Sequence, residues 1–257
     1  MKLVLTILFA ILILSGCGLS KKGALKTDAK PISHEIWSQI LQENVKDNGW
    51  IDYKTILADR TKFNEYLNLL NTHHPNPDTW SRNERMAYWF NAYNAFTVQL
   101  ILDHYPIESI KDVKKGIPFV NGVWDIKFIE IEGKEYSLNN IEHGILRPKF
   151  EDPRIHVAVN CASYSCPPLI PEAFVADRLE EQLDLATKQF LKDPLRNKIE
   201  PNNAEVSSIF KWYKGDFTKG QTLKGFLNKY LDVPIAESTS IEFLDYNWSL
   251  NDSSMQN

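Results

Sequence analysis

The 257-residue chain contains no GxGxxG, no GxxxxGK, no HExxH and no GxSxG. Without a glycine-rich loop ahead of a helix, no row of backbone N–H groups is set out to cradle a phosphate. Without the other two motifs, the zincin and serine-hydrolase layouts are unavailable. A basic stripe is missing as well. The 29 Lys and Arg are interspersed among 33 Asp and Glu, for a net charge of −4. Nothing here neutralises a phosphate backbone, which excludes nucleic acid as a partner. There are no internal repeats and no coiled-coil register. The longest apolar run, Leu3 to Leu14, holds twelve residues interrupted by Thr6, where a membrane-spanning helix needs about 20. Cysteine is scarce, with three in the chain.

Present instead is a leader. Lys2 and the short apolar run precede Leu14-Ser15-Gly16-Cys17, the layout of a signal peptide. The four residues resemble the lipobox of bacterial lipoproteins, which implies cleavage before Cys17 and its lipidation. Gly18, rather than Asp, resembles the pattern that sorts to the outer membrane. The expected protein is extracytoplasmic and lipid-anchored, on the periplasmic face of the outer membrane in a Gram-negative host. Its only membrane contact is that lipid. Residues 1–16 read as signal peptide, 17–31 as a polar tether, 32–250 as one globular domain and 251–257 as a flexible, frayed end.

Within the domain, helical spacing runs from a cap at Ser33 to about Asn48, over Asp59–Asn71, over Ser81–His104 and over Glu172–Asp193. Ser81 and Glu84 have capping-box spacing. Trp124, Ile126 and Phe128 suggest a strand returning through Lys134–Leu138, and residues 139–147 suggest a short helix stopped by Pro148. A small hairpin crosses Pro201-Asn202-Asn203, helical turns follow at Ser207–Tyr213 and Thr222–Leu231, and Ile241–Leu250 could add an edge strand. Long helices before and after a few short strands make an α+β pattern. The expected fold packs the helices around a small, mainly antiparallel sheet.

Chemistry concentrates in RIHVAVNCASYSCPPLI, residues 154–170. Alternation of Ile155, Val157 and Val159 against His156 and Asn160 predicts a short strand that delivers a histidine, an asparagine and a thiol into a turn closed by Pro167 and Pro168. Lipidation of Cys17 leaves Cys161 and Cys166 as an even pair in an oxidising compartment, the setting for a disulfide. Asn91 and Asn94 sit one turn apart in the long apolar helix, costly to bury without partners.

Three stretches, YWFNAYNAF at 88–96, LNNIEHGILRP at 138–148 and IHVAVNCASYSCPPL at 155–169, resemble domain of unknown function 547. FKWY at 210–213 with Asp216-Phe217, and DYNW at 245–248, are similar to its C-terminal signatures. The resemblance implies that Asn91, Asn94, Glu142, His143, His156, Asn160, Cys161, Ser163 and Cys166 belong to the family pattern. It carries no established chemistry.

Three readings stay open. In the first, the protein is a binding module whose polar His/Asn/Cys groove, stapled by Cys161–Cys166, takes a small molecule, a peptide or an envelope protein, without a cofactor. In the second it is a cysteine-dependent hydrolase or acyltransferase of papain or transglutaminase kind. Cys161 is then the nucleophile, His143 or His156 the base, Asn94 or Glu142 the group that orients the ring, and Asn91, Asn160 and Ser163 the substrate or oxyanion contacts. In the third, His143, His156, Cys161 and Cys166 hold zinc, although their spacing matches no standard knuckle. His143, His156, Cys161 and Asn94 are expected to converge in one shared site.

Overall fold

The computed structural model describes residues 30–114 and 122–255. The leader, Cys17 and most of the tether lie outside the described residues. Among those described, no helix is long and apolar enough to cross a membrane.

Four helices open the fold: α1 (Glu35–Asn44), α2 (Tyr53–Ala58), α3 (Thr61–Thr72) and α4 (Arg82–Leu102). The Ser33 hydroxyl accepts the Glu35 N–H, although His34 is the N-cap of α1. On α3 the spaced Phe63, Tyr66, Leu67 and Leu70 turn inward together. At the start of α4, Ser81 and Glu84 form the expected reciprocal capping box. Beyond its first turn α4 is buried on every side, Asn91 and Asn94 included, so it forms the axis on which the other elements pack.

A hairpin follows, β1 (Ile129–Ile131) against β2 (Lys134–Tyr136), antiparallel with Glu130 opposite Glu135. It is shorter than the sequence suggests, because Val123–Asp125 is a 3-10 turn. Next come α5 (Leu138–Ile141), a π-helical turn (Glu142–Leu146) and α6 (Arg147–Phe150). Pro148 does not end this segment. It lies in the first turn of α6, directly after the π-helical turn, through which the helix continues unbroken.

The largest departure is at Ile155–Ala158, which is a helical turn, α7, and not a strand. Asp152 starts it by accepting the Arg154 N–H on its carboxylate at 2.9 Å and the Ile155 N–H on its carbonyl at 3.1 Å. All four residues are buried. A short apolar run covered on every side carries no period that separates strand from helix.

Then α8 (Leu179–Lys192) leads into β3 (Lys198–Glu200) and β4 (Asn203–Val206), past α9 (Ile209–Trp212), α10 (Lys214–Phe217) and α11 (Leu223–Asn228), to β5 (Ile241–Phe243). β3 and β4 are antiparallel, and β5 joins β4 in parallel, with Ala204 opposite Ile241. Helices around two small sheets make the α+β fold. The apolar side chains form two clusters, one around α1 to α4 and the hairpin, the other around Phe190, Phe210, Phe217 and Phe226. Helix α7 bridges them: Ile155 and Ala158 belong to the first and Val157 to the second. Cys161 follows directly from that seam.

The expected frayed end begins differently. Asn251 and Asp252 are fully buried, and the Asn251 carboxamide accepts the Tyr53 hydroxyl at 2.7 Å.

Candidate functional site

A cavity of about 240 Å³ opens where the two apolar clusters meet, lined by Cys161, Cys166, Glu142, His143 and His156 among aromatic side chains. Trp124, Trp212, Trp248, Tyr93, Tyr213 and Tyr246 are its aromatic lining. Trp212 stacks on Trp248 with centroids 5.9 Å apart, and Tyr246 tilts against Trp248 at 4.5 Å.

Its floor is the cysteine turn. Asn160 braces the turn with its whole carboxamide: Oδ1 accepts the Ala162 N–H at 2.8 Å, and Nδ2 donates to the Pro167 carbonyl at 2.7 Å. That bracing holds Ala162 at φ 57°, a left-handed conformation uncommon for a residue with a side chain. The disulfide expected here is absent. Cys161 and Cys166 are both free, with sulfurs 2.9 Å apart, where a bond requires about 2.05 Å. The Cys161 sulfur also contacts the hydroxyls of Ser163 at 3.2 Å and Tyr246 at 3.3 Å. The hydrogen bond from Cys166, helped by those hydroxyls, holds the Cys161 thiol below its ordinary pKa against the effect of burial. Burial, followed by the bond to Cys161, pushes the Cys166 thiol well up.

One wall carries the charges. His156, delivered by α7, stacks on Tyr213 at 3.7 Å, and its Nε2 lies 2.7 Å from Asp216 Oδ2. Arg147 grips the same carboxylate with two bonds, Nε to Oδ2 at 2.7 Å and Nη2 to Oδ1 at 3.1 Å. The Arg147 guanidinium, and after it His156, hold the Asp216 carboxyl down at about 2. Asp216 is therefore an acceptor only, and His156 Nε2 carries the proton between them. The other ring nitrogen, Nδ1, is buried without a hydrogen-bond partner, 3.5 Å from Glu142 Oε1. Burial works to raise the Glu142 carboxyl, but His156, His143 and Tyr213 outweigh it and keep the group below its ordinary value. An ionised carboxylate is thus held against the cavity at 6 % exposure.

Of the four residues expected to converge, His143, His156 and Cys161 line the cavity and Asn94 stands behind it. Asn94 receives the Asn160 N–H at 2.8 Å and donates to the Ala158 carbonyl at 2.9 Å. Asn91 does the same for Phe174, at 3.0 Å and 2.8 Å. Asn91 and Asn94 spend their polar atoms on the backbone, and Asn160 spends its own on the backbone and on Asn251 Nδ2 at 3.2 Å. Ser163 is fully buried against Tyr246, at 2.8 Å. His143 sits at the rim, beside Arg147 at 3.2 Å. Among the described residues no group of three or more His, Cys, Asp or Glu could hold a metal ion. The zinc reading fails because Asp216 and Tyr213 hold the His156 ring on the charged wall, while the two sulfurs face each other and hydroxyls on the floor.

Sequence reasoning assigned no role in the site to Asp216, Tyr213, Tyr246, Trp212 or Trp248. Their signal was the C-terminal resemblance at 210–217 and 245–248. No curated protein and no solved structure matches the chain. Residues 77–191 match the family described as "Protein of unknown function, DUF547", a stretch that holds the cysteine floor, His156 and Glu142 and stops short of the Tyr213–Asp216 and Tyr246–Trp248 walls.

Proposed function

We propose that the protein is a ligand-binding module whose aromatic cavity takes a small organic molecule or a peptide side chain. The ligand has a flat or aliphatic body and a head that donates hydrogen bonds. The observation that carries this is Glu142, an ionised carboxylate set among indole and phenol rings. Rings of this kind accept flat bodies and cationic groups alike, and a desolvated carboxylate rewards a donor. The wall already accepts an ammonium, since Lys111 Nζ lies 3.6 Å from the centre of the Trp248 ring. Benzamidine and benzoate, near-isosteres of opposite charge, test the reading by ligand-observed NMR. Benzamidine should bind, and Glu142→Gln should weaken it by roughly tenfold or more. Equal binding of both probes, unaffected by Glu142→Gln, would refute it.

A second reading is acyl transfer at Cys161, favoured by His156, which lines the same cavity as that sulfur and is oriented through Nε2 by Asp216. A burst of phenolate from an activated ester, lost in His156→Gln, would select this reading. Location in the envelope, with Cys17 as the lipid anchor, rests on the leader. A Cys17→Ser variant that still partitions into detergent would exclude it.

A further inference from the structure

The two thiols are arranged unequally. Cys161 is half-buried and Cys166 is 2 % exposed, and both line the cavity. Cys161 is therefore the more exposed residue of the pair. Its sulfur is in hydrogen-bond contact with the Cys166 thiol at 2.9 Å and with the hydroxyls of Ser163 and Tyr246. Groups that donate to sulfur favour the thiolate, the form that attacks. Burial and the Glu142 carboxylate act against the thiolate, and the hydrogen bonds outweigh them.

We propose that Cys161 and Cys166 are a dithiol site that exchanges electrons with an organic disulfide, Cys161 attacking and Cys166 resolving. The Cys161 thiolate displaces one half of the disulfide, forming a mixed disulfide and releasing a thiolate that takes up a proton. Cys166 then loses its proton, attacks the Cys161 sulfur and releases the second half as a thiol. The substrate disulfide is reduced to two thiols, and the protein pair is oxidised to one disulfide.

The backbone prepares the second step. Cys161 N–H donates to the Cys166 sulfur at 2.9 Å, and Cys166 N–H donates to the Ser163 carbonyl at 3.1 Å. With Ala162 left-handed, the turn folds back so that four intervening residues bring the sulfurs within 2.9 Å. Bond formation then requires a movement of under about 1 Å. The site thus reaches by turn geometry the juxtaposition that thiol oxidoreductases reach by two-residue spacing. The resolving thiol is the less exposed of the two.

The test uses the reduced protein, glutathione disulfide as probe, quenching by alkylation, and peptide mapping that reads Cys17 separately. Wild type should release two glutathione molecules for each Cys161–Cys166 linkage formed. Cys166→Ser should stop at glutathione bound to Cys161. Cys161→Ser should leave Cys166 unmodified while its melting curve shows a folded protein. For variants that do not fold, alkylation of native wild type supplies the same answer, since Cys161 should react at least roughly tenfold faster than Cys166. Equal reactivity of the thiols, a wild type inert to glutathione disulfide, or a folded Cys166→Ser that traps nothing would each overturn the proposal. The inference does not depend on the ligand reading: benzamidine binding by a wild type inert to glutathione disulfide would overturn the dithiol site alone, and disulfide formation without benzamidine binding would overturn the ligand reading alone.

Discussion

Asn94, at the middle of the long buried helix, holds Asn160 from behind, its carboxamide oxygen 2.8 Å from the Asn160 N–H. Its other end meets the Ala158 carbonyl at 2.9 Å. One side chain thus satisfies both backbone groups exposed where α7 stops, and those are the groups that set where Cys161 emerges. Asn94→Ala strands a donor and an acceptor in a site that is 4 % exposed. The expected cost is on the order of 2–4 kcal/mol in urea unfolding. The Asn160 amide should also exchange with solvent faster. A loss well under 1 kcal/mol would mean that water or a shifted backbone replaces the clamp.

The acid limb of stability should depend on Asp216. Its carboxyl is depressed from 3.8 to about 2 when folded, so the unfolded chain binds its proton more readily than the native one. The stabilisation is present above 3.8 and disappears as pH falls through about 2. With 32 % of the side chain exposed, solvent screening limits the effect to on the order of 1 kcal/mol. Asp216→Asn should flatten this part of the profile and free the His156 ring. An unchanged profile in that variant would show that other carboxylates govern the acid limb.

Much of the scaffold could be read from the residues, because α3 and α4 carry strong helical spacing and a capping box, signals that act locally. The site was half legible. Cys161, His156, His143 and Glu142 lie in two dense motifs, and their chemistry marks them. Asn91 and Asn94 were visible as costly polar residues, but their partners, Phe174 and Asn160, are loop backbone, which has no side-chain signature. Tyr213, Asp216, Tyr246 and Trp248 become site residues only through packing across the seam between clusters. Residues 155–158 were misread because burial on all sides erases periodicity.

His34 should give the fold a second pH dependence, remote from the cavity. It is 8 % exposed, its Nδ1 is 2.8 Å from the Tyr66 hydroxyl, and burial lowers it from 6.5 to about 4. Between those values the unfolded chain takes the proton that the folded chain refuses. Stability is complete above 6.5 and declines as pH falls toward 4, by on the order of 3 kcal/mol at most. His34→Gln keeps a group able to reach Tyr66 and does not titrate. Its unfolding free energy should change less between pH 7 and pH 4.5 than that of wild type, and equal slopes would dismiss His34 as the cause.

Removing the chain after Leu250 should damage the cysteine floor, although the cut is 84 residues from Cys166 in sequence. Asn251 is the reason. Its carbonyl accepts the Ile51 N–H at 3.0 Å, its own N–H reaches the Ala162 carbonyl at 3.3 Å, and its Nδ2 meets Asn160 Oδ1 at 3.2 Å. Tyr53 donates to its side-chain oxygen at 2.7 Å, and Tyr105 donates to the adjacent Asp252 at 2.6 Å. A single residue therefore ties the loop before α2 to the left-handed turn between the thiols. Loss of several buried hydrogen bonds at once predicts a destabilisation on the order of 3 kcal/mol or more. Asn251→Ala keeps the backbone bonds and should lose less than the truncation. In the truncated protein, Cys166 should alkylate faster relative to Cys161, because the Ala162 carbonyl loses its partner. A truncated protein with native stability and an unchanged ratio of thiol reactivities would show that the turn holds its shape without the C-terminal residues.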